Sequence, residues 1–438
     1  MSRETGGAGM RIIILNQFFH PDHSATSQLM TELAESLVEL GHSVTALAGR
    51  GRYTGGGRLP VSEDYQGVRI TRAWATSFGK RHLWGRLADY LSFYIGATWK
   101  LLRLPHHDVV LALTTPPLIG LVALLVGRLR RMRVVVLVQD VYPEIAIALG
   151  KLPADGLLTR LLDGLNGRLL RQADGIIVLS ECMRRRLAAR IGDACESRLE
   201  VIHNWADGSR IQPQAEAGKA FALDHNLAGA FIVLFSGNWG EVNEFRTVLE
   251  AARSLRERRD IAFLFIGDGS KAAGIRQFCE QHELKNVRLL PYQPRERVPA
   301  TLAACDAALV TLAEGLAGLS VPSKTYAILA AGRPVLYVGD QASEIADIVR
   351  ENACGATVAA GESQQLAELI TAWATDLALT RQLGERARAV FESRFDRPAA
   401  VRAYVRALQK FLRRSPQVEP EYGPGEVSTL ENSPWSKN

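Results

Sequence analysis

The sequence predicts an α/β protein built as two doubly wound domains in series. Two observations carry this. Short continuous apolar runs, the pattern of strands buried on both faces of a parallel sheet, alternate with stretches of helical periodicity. The alternation breaks once, at the polar stretch Asp207 to Lys219, and then resumes. A chain of 438 residues is too long for one ordinary core, and two domains of roughly 200 residues each are the expectation.

Arg11 to Asn16 is the first strand, a buried apolar run. After the loop Gln17 to Ser27, Leu29, Leu33, Leu37 and Leu40 recur at helical spacing. Gly41 stands where a left-handed residue ends a helix, and Ser43 to Leu47 is the next strand, which completes a βαβ module. Further strands follow at Val68–Arg72, Asp108–Leu113, Val134–Val138, Gly175–Leu179 and Leu199–Ile202. Pro116 to Gly127 is strongly apolar, but its twelve residues fall short of the ~20 that cross a membrane, so it reads as a buried helix.

The second series predicts strands Phe231–Phe235, Ile261–Ile266, Val287–Leu290, Ala307–Leu312 and Pro334–Val338. Helices Glu244–Arg256, Lys271–His282, Val298–Ala303 and Lys324–Ala331 alternate with them. Tyr404 to Arg413 is a last amphipathic helix. The expected division is 1–205, 206–395, a terminal helical segment 396–414 that crosses back to the first domain, and a tail 415–438. That tail is rich in Pro, Ser, Glu and Gly and too poor in apolar residues to fold.

Composition excludes other classes. Hydrophobic residues at 47% and charged residues at 22% rule out wholesale disorder. Five cysteines, odd in number and without C-x-x-C spacing, argue against a disulfide framework and a zinc site and for a reducing, cytoplasmic location. Met1 to Met10 lacks the apolar stretch of a signal peptide. The overall charge is mild, 52 − 46 = +6, but Arg50 to Arg133 holds fourteen Lys or Arg against four acids, a local +10. Such asymmetry points to an anionic partner, or to a solvated basic face.

Open parallel sheets bind ligands beyond the carboxyl ends of their strands. In the second domain these ends hold Ser236 to Gly240, Gly267 to Gly269, Leu290 to Tyr292 and Glu314 to Lys324. The glycines either let backbone N–H groups approach a phosphate or simply close tight turns. Val321 to Tyr326 is the sharpest segment. Pro322 suits a helix start, Ser323 a cap, and Lys324 a charge that meets a diphosphate. A cation in the first turn opposes the helix dipole, a mild cost that points to a ligand.

The order S-G-N-x-G from Ser236, G-D-G from Gly267, P-S-K-x-Y from Pro322 and A-A-G-R-P from Ala330 resembles the donor domain of glycosyltransferase family 4. It is most similar to the bacterial branch that builds O-antigen, capsule or exopolysaccharide repeats. Phe18 to Asp22 with Ser24 to Ser27, Leu40 to Val44, Val138 to Glu144 and Val201 to Asp207 resemble its acceptor-side segments. The resemblance runs from about Met10 to Leu412.

What this resemblance implies is a GT-B fold, two Rossmann-like domains facing a central cleft, and a retaining transfer that needs no metal or cofactor. The donor is a nucleotide-diphosphate sugar, usually UDP-linked. Its base lies against Leu290, Pro291 and Tyr292, and its diphosphate near Gly237, Asn238, Gly267, Pro322, Ser323 and Lys324. The acceptor, lipid-linked or saccharide, enters beside His20, Ser24, Ala25 and Glu144, with Asp140 in the catalytic segment. Without the resemblance, Asp140 reads either as a cleft residue or as a cap on the following turn. The sequence departs from the family at its two glutamates, the second of which falls at Ala327 and the first near Leu319, and Arg246 is the one cation near the first glycine turn. Glu314 is the substitute acid, or a solvated loop residue.

Lys80 to Arg103 mixes cations with Trp84, Tyr90, Phe93, Tyr94 and Trp99. That pattern suits an interfacial helix on anionic lipid, with some rings given to the core. The absence of a helix-turn-helix, RRM or zinc module argues against nucleic acid. Two rivals stand beside a transferase. A nucleotide-sugar epimerase or dehydrogenase is disfavoured because Asn16 to Asp22 lacks G-x-G-x-x-G. A catalytically inert scaffold of the same fold draws support from the missing glutamates.

Overall fold

The computed structural model describes residues 9–52, 57–76, 78 and 83–413. The segment 415–438, expected as a tail, lies outside the described residues, as do Lys80 to His82 and the side chain of Trp84. The first half runs β1 (Arg11–Leu15), α1 (Ala25–Glu39), β2 (Ser43–Gly49), β3 (Ser62–Tyr65), β4 (Val68–Ala73), α2 (Leu83–Arg103) and β5 (Val109–Leu113). It continues through α3 (Ile119–Arg130), β6 (Arg133–Val138), α4 (Glu144–Ala148), α5 (Leu157–Gln172), β7 (Gly175–Val178), α6 (Glu181–Ile191) and β8 (Leu199–Val201). The second half opens with α7 (Ala215–Asp224), β9 (Phe231–Asn238), α8 (Arg246–Ser254), β10 (Ile261–Asp268), α9 (Ala272–Gln281), β11 (Val287–Leu290) and α10 (Val298–Ala304). It closes with β12 (Ala307–Leu312), α11 (Lys324–Ala330), β13 (Val335–Gly339), α12 (Glu344–Glu351), β14 (Gly355–Val358), α13 (Ser363–Thr375), α14 (Leu377–Val390) and α15 (Arg397–Arg413).

Two sheets result. The first has the order β3-β4-β2-β1-β5-β6-β7-β8 and the second β11-β10-β9-β12-β13-β14. Every pairing is parallel except β3 with β4 at the first sheet's edge. In each sheet the winding reverses at one point, between β1 and β5 and between β9 and β12, and ligand crevices of open parallel sheets form at such points.

Two details correct the sequence reading. β9 and β10 run on to Asn238 and Asp268, so Gly237 and Gly267 pair with each other inside the ladder rather than forming a strand-to-helix turn. A side chain on Gly267 would place its Cβ 1.9 Å from the Gly237 carbonyl oxygen, at a φ of +144°, so packing alone demands glycine there. The edge strands β3 and β14 have no counterpart in the sequence reading.

Helix α15 returns to the first sheet. Val401, Tyr404, Leu408 and Phe411 share a core with Ile12, Ile14 and Leu111, and Phe411 lies so close over Gly175 that a Cβ there would meet its ring at 2.4 Å. Arg397 fastens the start of α15: its guanidinium reaches the Ser36 hydroxyl at 2.9 Å, the Glu32 carbonyl at 2.8 Å and the carboxylates of Glu35 and Asp207, both at 3.2 Å. Further contacts join the two sheets' modules. Val141 N–H donates to the Leu319 carbonyl at 2.9 Å, Arg295 pairs with Glu32, and Glu181 N–H donates to Glu344 Oε2 at 3.1 Å.

Candidate active-site cleft

The site is built around the start of α11. Lys324 is the first residue of that helix, and its side chain turns back under the end of β9. The ammonium Nζ stands 3.4 Å from the centroid of the Phe235 ring, and Gly237 leaves it room, since a Cβ there would lie 3.3 Å away. That nitrogen is buried and has no hydrogen-bond partner among the described residues. Burial lowers its pKa from 10.5 to about 7. The ring face supplies part of the attraction a cation requires, but it leaves the three N–H donors unused. A buried charge without a polar partner is costly, and here it sits at the winding reversal of the second sheet.

The neighbouring candidates close around this point. Ser323 occupies the N-cap position with helical backbone angles (φ −63°, ψ −22°), and its side chain makes no capping hydrogen bond. The cap expected from the sequence is therefore absent; the Pro322 carbonyl instead accepts from Thr325 Oγ1 at 2.8 Å. Asn238 is exposed at the end of β9. Pro291 and Tyr292 are exposed after β11, and the Tyr292 hydroxyl donates to the Asp268 carbonyl at 3.3 Å, which draws the ring across the same strand ends. Glu314 is exposed in the turn after β12.

Asp140 follows β6 and meets the second module directly. It forms a bridge with Ser320, in the loop that leads to Lys324, and its N–H lies 3.5 Å from Thr114 Oγ1. Burial pushes its carboxyl above the ordinary range, against a hydrogen bond from the Ser320 side chain. The structure thus brings Asp140 and the Pro322-Ser323-Lys324 segment to one seam.

The acceptor-side candidates are engaged locally. The His20 ring stacks on Tyr65 at 3.6 Å, and burial lowers its pKa. Ser24 Oγ accepts from Ser27 N–H at 3.3 Å and caps α1, of which Ala25 is the exposed first residue. Glu144 pairs with Arg190 at 2.8 Å, and Arg190 also holds Asp163, so this carboxylate ties α4 to α6.

Residues 25–205 match the family described as "Glycosyl transferase 4-like domain", and residues 224–390 match "Glycosyl transferases group 1". The chain belongs to glycosyltransferase family 4 and has the GT-B fold. It is 31% identical to WbjE of Pseudomonas aeruginosa over 268 residues, 61% of this chain and 66% of that protein. It is 25% identical to WcaI of Escherichia coli strain K12 over 359 residues, 77% of this chain and 86% of that one. Its fold is that of HepE from Anabaena, solved with UDP and glucose, at a TM-score of 0.70 and 17% identity across 92% of this chain and 100% of that chain.

In this glycosyltransferase the family's two acid positions hold Leu319, which is buried and gives its carbonyl to Val141, and Ala327 within α11. Sequence reasoning missed several residues that lie around the candidate site. Phe235 carries no sign beyond that of a core strand residue. Asn243 is buried and ties the loop after β9: its Nδ2 donates to the Asn238 carbonyl at 3.0 Å, and its Oδ1 accepts from Thr311 at 3.2 Å. Lys271 Nζ holds the Asn243 carbonyl at 2.9 Å, a contact that no local pattern distinguishes from a surface lysine. Glu344 is buried across the seam, and burial raises its pKa against hydrogen bonds from the Glu181 and Cys182 backbone.

Proposed function

We propose that the chain transfers a hexosyl or N-acetylhexosaminyl unit from a UDP-linked sugar to a lipid-linked or saccharide acceptor in cell-surface polysaccharide synthesis. The anomeric configuration is retained, and no metal takes part. The single observation that carries the donor site is the buried, partnerless ammonium of Lys324 at the winding reversal of the second sheet. A diphosphate is the ligand chemistry that such a group lacks. The UDP and glucose in HepE and the colanic acid biosynthesis for which WcaI is named support the donor and the pathway class. The reaction takes place in the cytoplasm, with the first domain against the inner face of the membrane through 80–103.

In the transfer, the bond from the anomeric carbon to the diphosphate oxygen breaks as the acceptor oxygen bonds to the same face of the sugar. The acceptor's proton passes to the departing phosphate oxygen. Lys324 and Ser323 stabilise the charge that develops on that phosphate, and positioning supplies much of the remainder. Asp140, at the seam, orients the acceptor hydroxyl. The exposed Tyr292 is the platform for the base.

Thermal melting against the diphosphates of uridine, guanosine, adenosine and thymidine tests the donor site. UDP at about a hundredfold excess over its Kd is expected to stabilise the protein by about 2.7 kcal/mol, and Lys324→Ala to lose that response. Absence of a shift with every nucleotide overturns the reading. A shift without turnover on any acceptor fits the inert scaffold instead, which Leu319 and Ala327 at the acid positions would then explain.

A further inference from the structure

Helix α2 is apolar on two opposite faces. Phe93, Ala97 and Leu101 are buried in the core of the first sheet. On the other side Leu87, Leu91, Ile95, Trp99 and Leu102 recur every three or four residues and are 46%, 54%, 69%, 54% and 43% exposed. A helix at the surface of a globular domain ordinarily turns a polar face to water. The helix α3, which packs against α2, also leaves Leu125 and Leu129 exposed.

A groove of about 450 Å³ crosses this face, lined by Trp74, Ile95, Gly96, Thr98, Trp99 and Leu102. Gly96 makes it possible, since a Cβ there would fall 2.3 Å from the Trp74 carbonyl oxygen. Trp74 and Trp99 both flank the groove half-exposed. The Arg103 guanidinium stacks 3.7 Å from the Trp99 ring centroid, and Lys100 lies one turn from it on the same helix. Asp89, the acid of α2, is turned to other work: it accepts from Thr76 Oγ1 at 2.8 Å and from Phe78 N–H at 3.0 Å, and so presents the exposed Phe78 beside the patch.

The occupant follows from this chemistry. Tryptophans at an apolar boundary, aliphatic side chains beyond them and cations behind them match the layered polarity of a bilayer surface. Among the described residues no helix is long and apolar enough to cross a membrane, so this face lies on a leaflet rather than within a span. We propose that the groove between Trp74 and α2 seats a hydrocarbon chain of an anionic membrane phospholipid, whose phosphate meets Arg103 and Lys100. This deepens the reading of a membrane-side acceptor, but its test is separate from the donor site.

The test is flotation of the full-length protein with phosphatidylcholine vesicles made with and without phosphatidylglycerol, at low and high salt. Binding is expected with phosphatidylglycerol and is expected to weaken with salt. The pair Ile95→Asp and Trp99→Ala, both at exposed positions, is expected to lower it about tenfold or more. Lipids brominated in the acyl chain are expected to quench tryptophan fluorescence, and Trp74→Phe with Trp99→Phe to remove that quenching. Failure of the wild type to float, or flotation indifferent to Ile95→Asp and Trp99→Ala, overturns the proposal. So does a dimer in sedimentation that this pair dissolves, because the face then belongs to a second copy. UDP stabilisation is measured beside flotation: in the wild type, its persistence while flotation fails sinks the lipid site and leaves the donor site standing, and flotation without UDP stabilisation does the opposite. In Ile95→Asp and Trp99→Ala its persistence while flotation falls is the expected result and shows that the variants are folded.

Discussion

The two sheets send their strand ends to the same cleft, yet most of their candidate residues are in different states. On the donor side Lys324 is buried without a polar partner and Ser323 makes no capping bond. On the acceptor side His20 is stacked on Tyr65 and Ser24 caps α1, while Glu144 is held by Arg190 through one carboxylate oxygen and keeps the other buried without a partner among the described residues. A polar group whose bonds are complete already has its explanation in the fold, whereas a buried one left unpaired at a winding reversal calls for an explanation that a ligand supplies. The contrast ranks the site residues more sharply than their positions in the loops do.

The strongest way to break this contrast is Lys324→Met. Removal of this buried, unpaired cation is expected to lower turnover by about a hundredfold to a thousandfold and to abolish UDP stabilisation. It is also expected to leave the unliganded protein as stable as before or more so, because the cost of burying the charge goes with it. A variant that melts early and still responds to UDP would make Lys324 a structural residue. Asp140→Asn comes next. It keeps a group able to bond Ser320, so the seam is expected to survive, with turnover down by about a hundredfold and UDP affinity unchanged. Equal losses in both measurements would reduce Asp140 to a fastening between the two modules.

The pH dependence of stability sharpens the same point by a smaller effect. The Lys324 pKa is about 7 in the folded chain against an ordinary 10.5, so between those values the unfolded chain binds the extra proton. Stability of the unliganded protein therefore rises as pH climbs from about 7 towards 10.5. Below pH 7 the ammonium is charged in both states, and its burial cost is felt in full. Lys324→Met removes this rise, and bound UDP, by pairing the ammonium, removes it too. Melting curves across that interval decide the matter: a slope unchanged in Lys324→Met would assign it to other groups.

The sequence made the fold legible wherever burial was complete. Strands such as Ile261–Ile266 are short, apolar without interruption and bounded by turn residues, which is how a doubly covered parallel strand reads. Ser62–Tyr65 and Gly355–Val358 escaped because these edge strands are short and lack a buried apolar run, and the composition of Ser-Glu-Asp-Tyr reflects solvent on its open side. That omission carried into the site. The His20 ring rests on Tyr65 in the unrecognised strand, a contact that a loop histidine gives no sign of in the sequence. Lys324 was legible because a cation in the first turn of a helix is locally unfavourable. Phe235, which receives it, was not, because a strand phenylalanine facing a helix start is a tertiary fact with no local trace.

The smallest effects test whether completed bonds do mark structural residues. Ser24→Ala removes the α1 cap and is expected to cost about 1 kcal/mol of stability with turnover and UDP affinity intact. Glu314→Gln is expected to change stability by less than about 0.5 kcal/mol, since the side chain is exposed in a turn. Its effect on turnover is the more telling number, because Glu314 stands at the end of β12, beside the winding reversal that holds Lys324. If turnover also stays within about twofold, the missing acid of the family has no replacement in this loop, and the diphosphate is gripped by cation and hydroxyl alone. If turnover falls while stability holds, an exposed acid acts only once the donor is bound, and the rule that partnerless groups mark the site must extend from buried residues to those that a ligand buries.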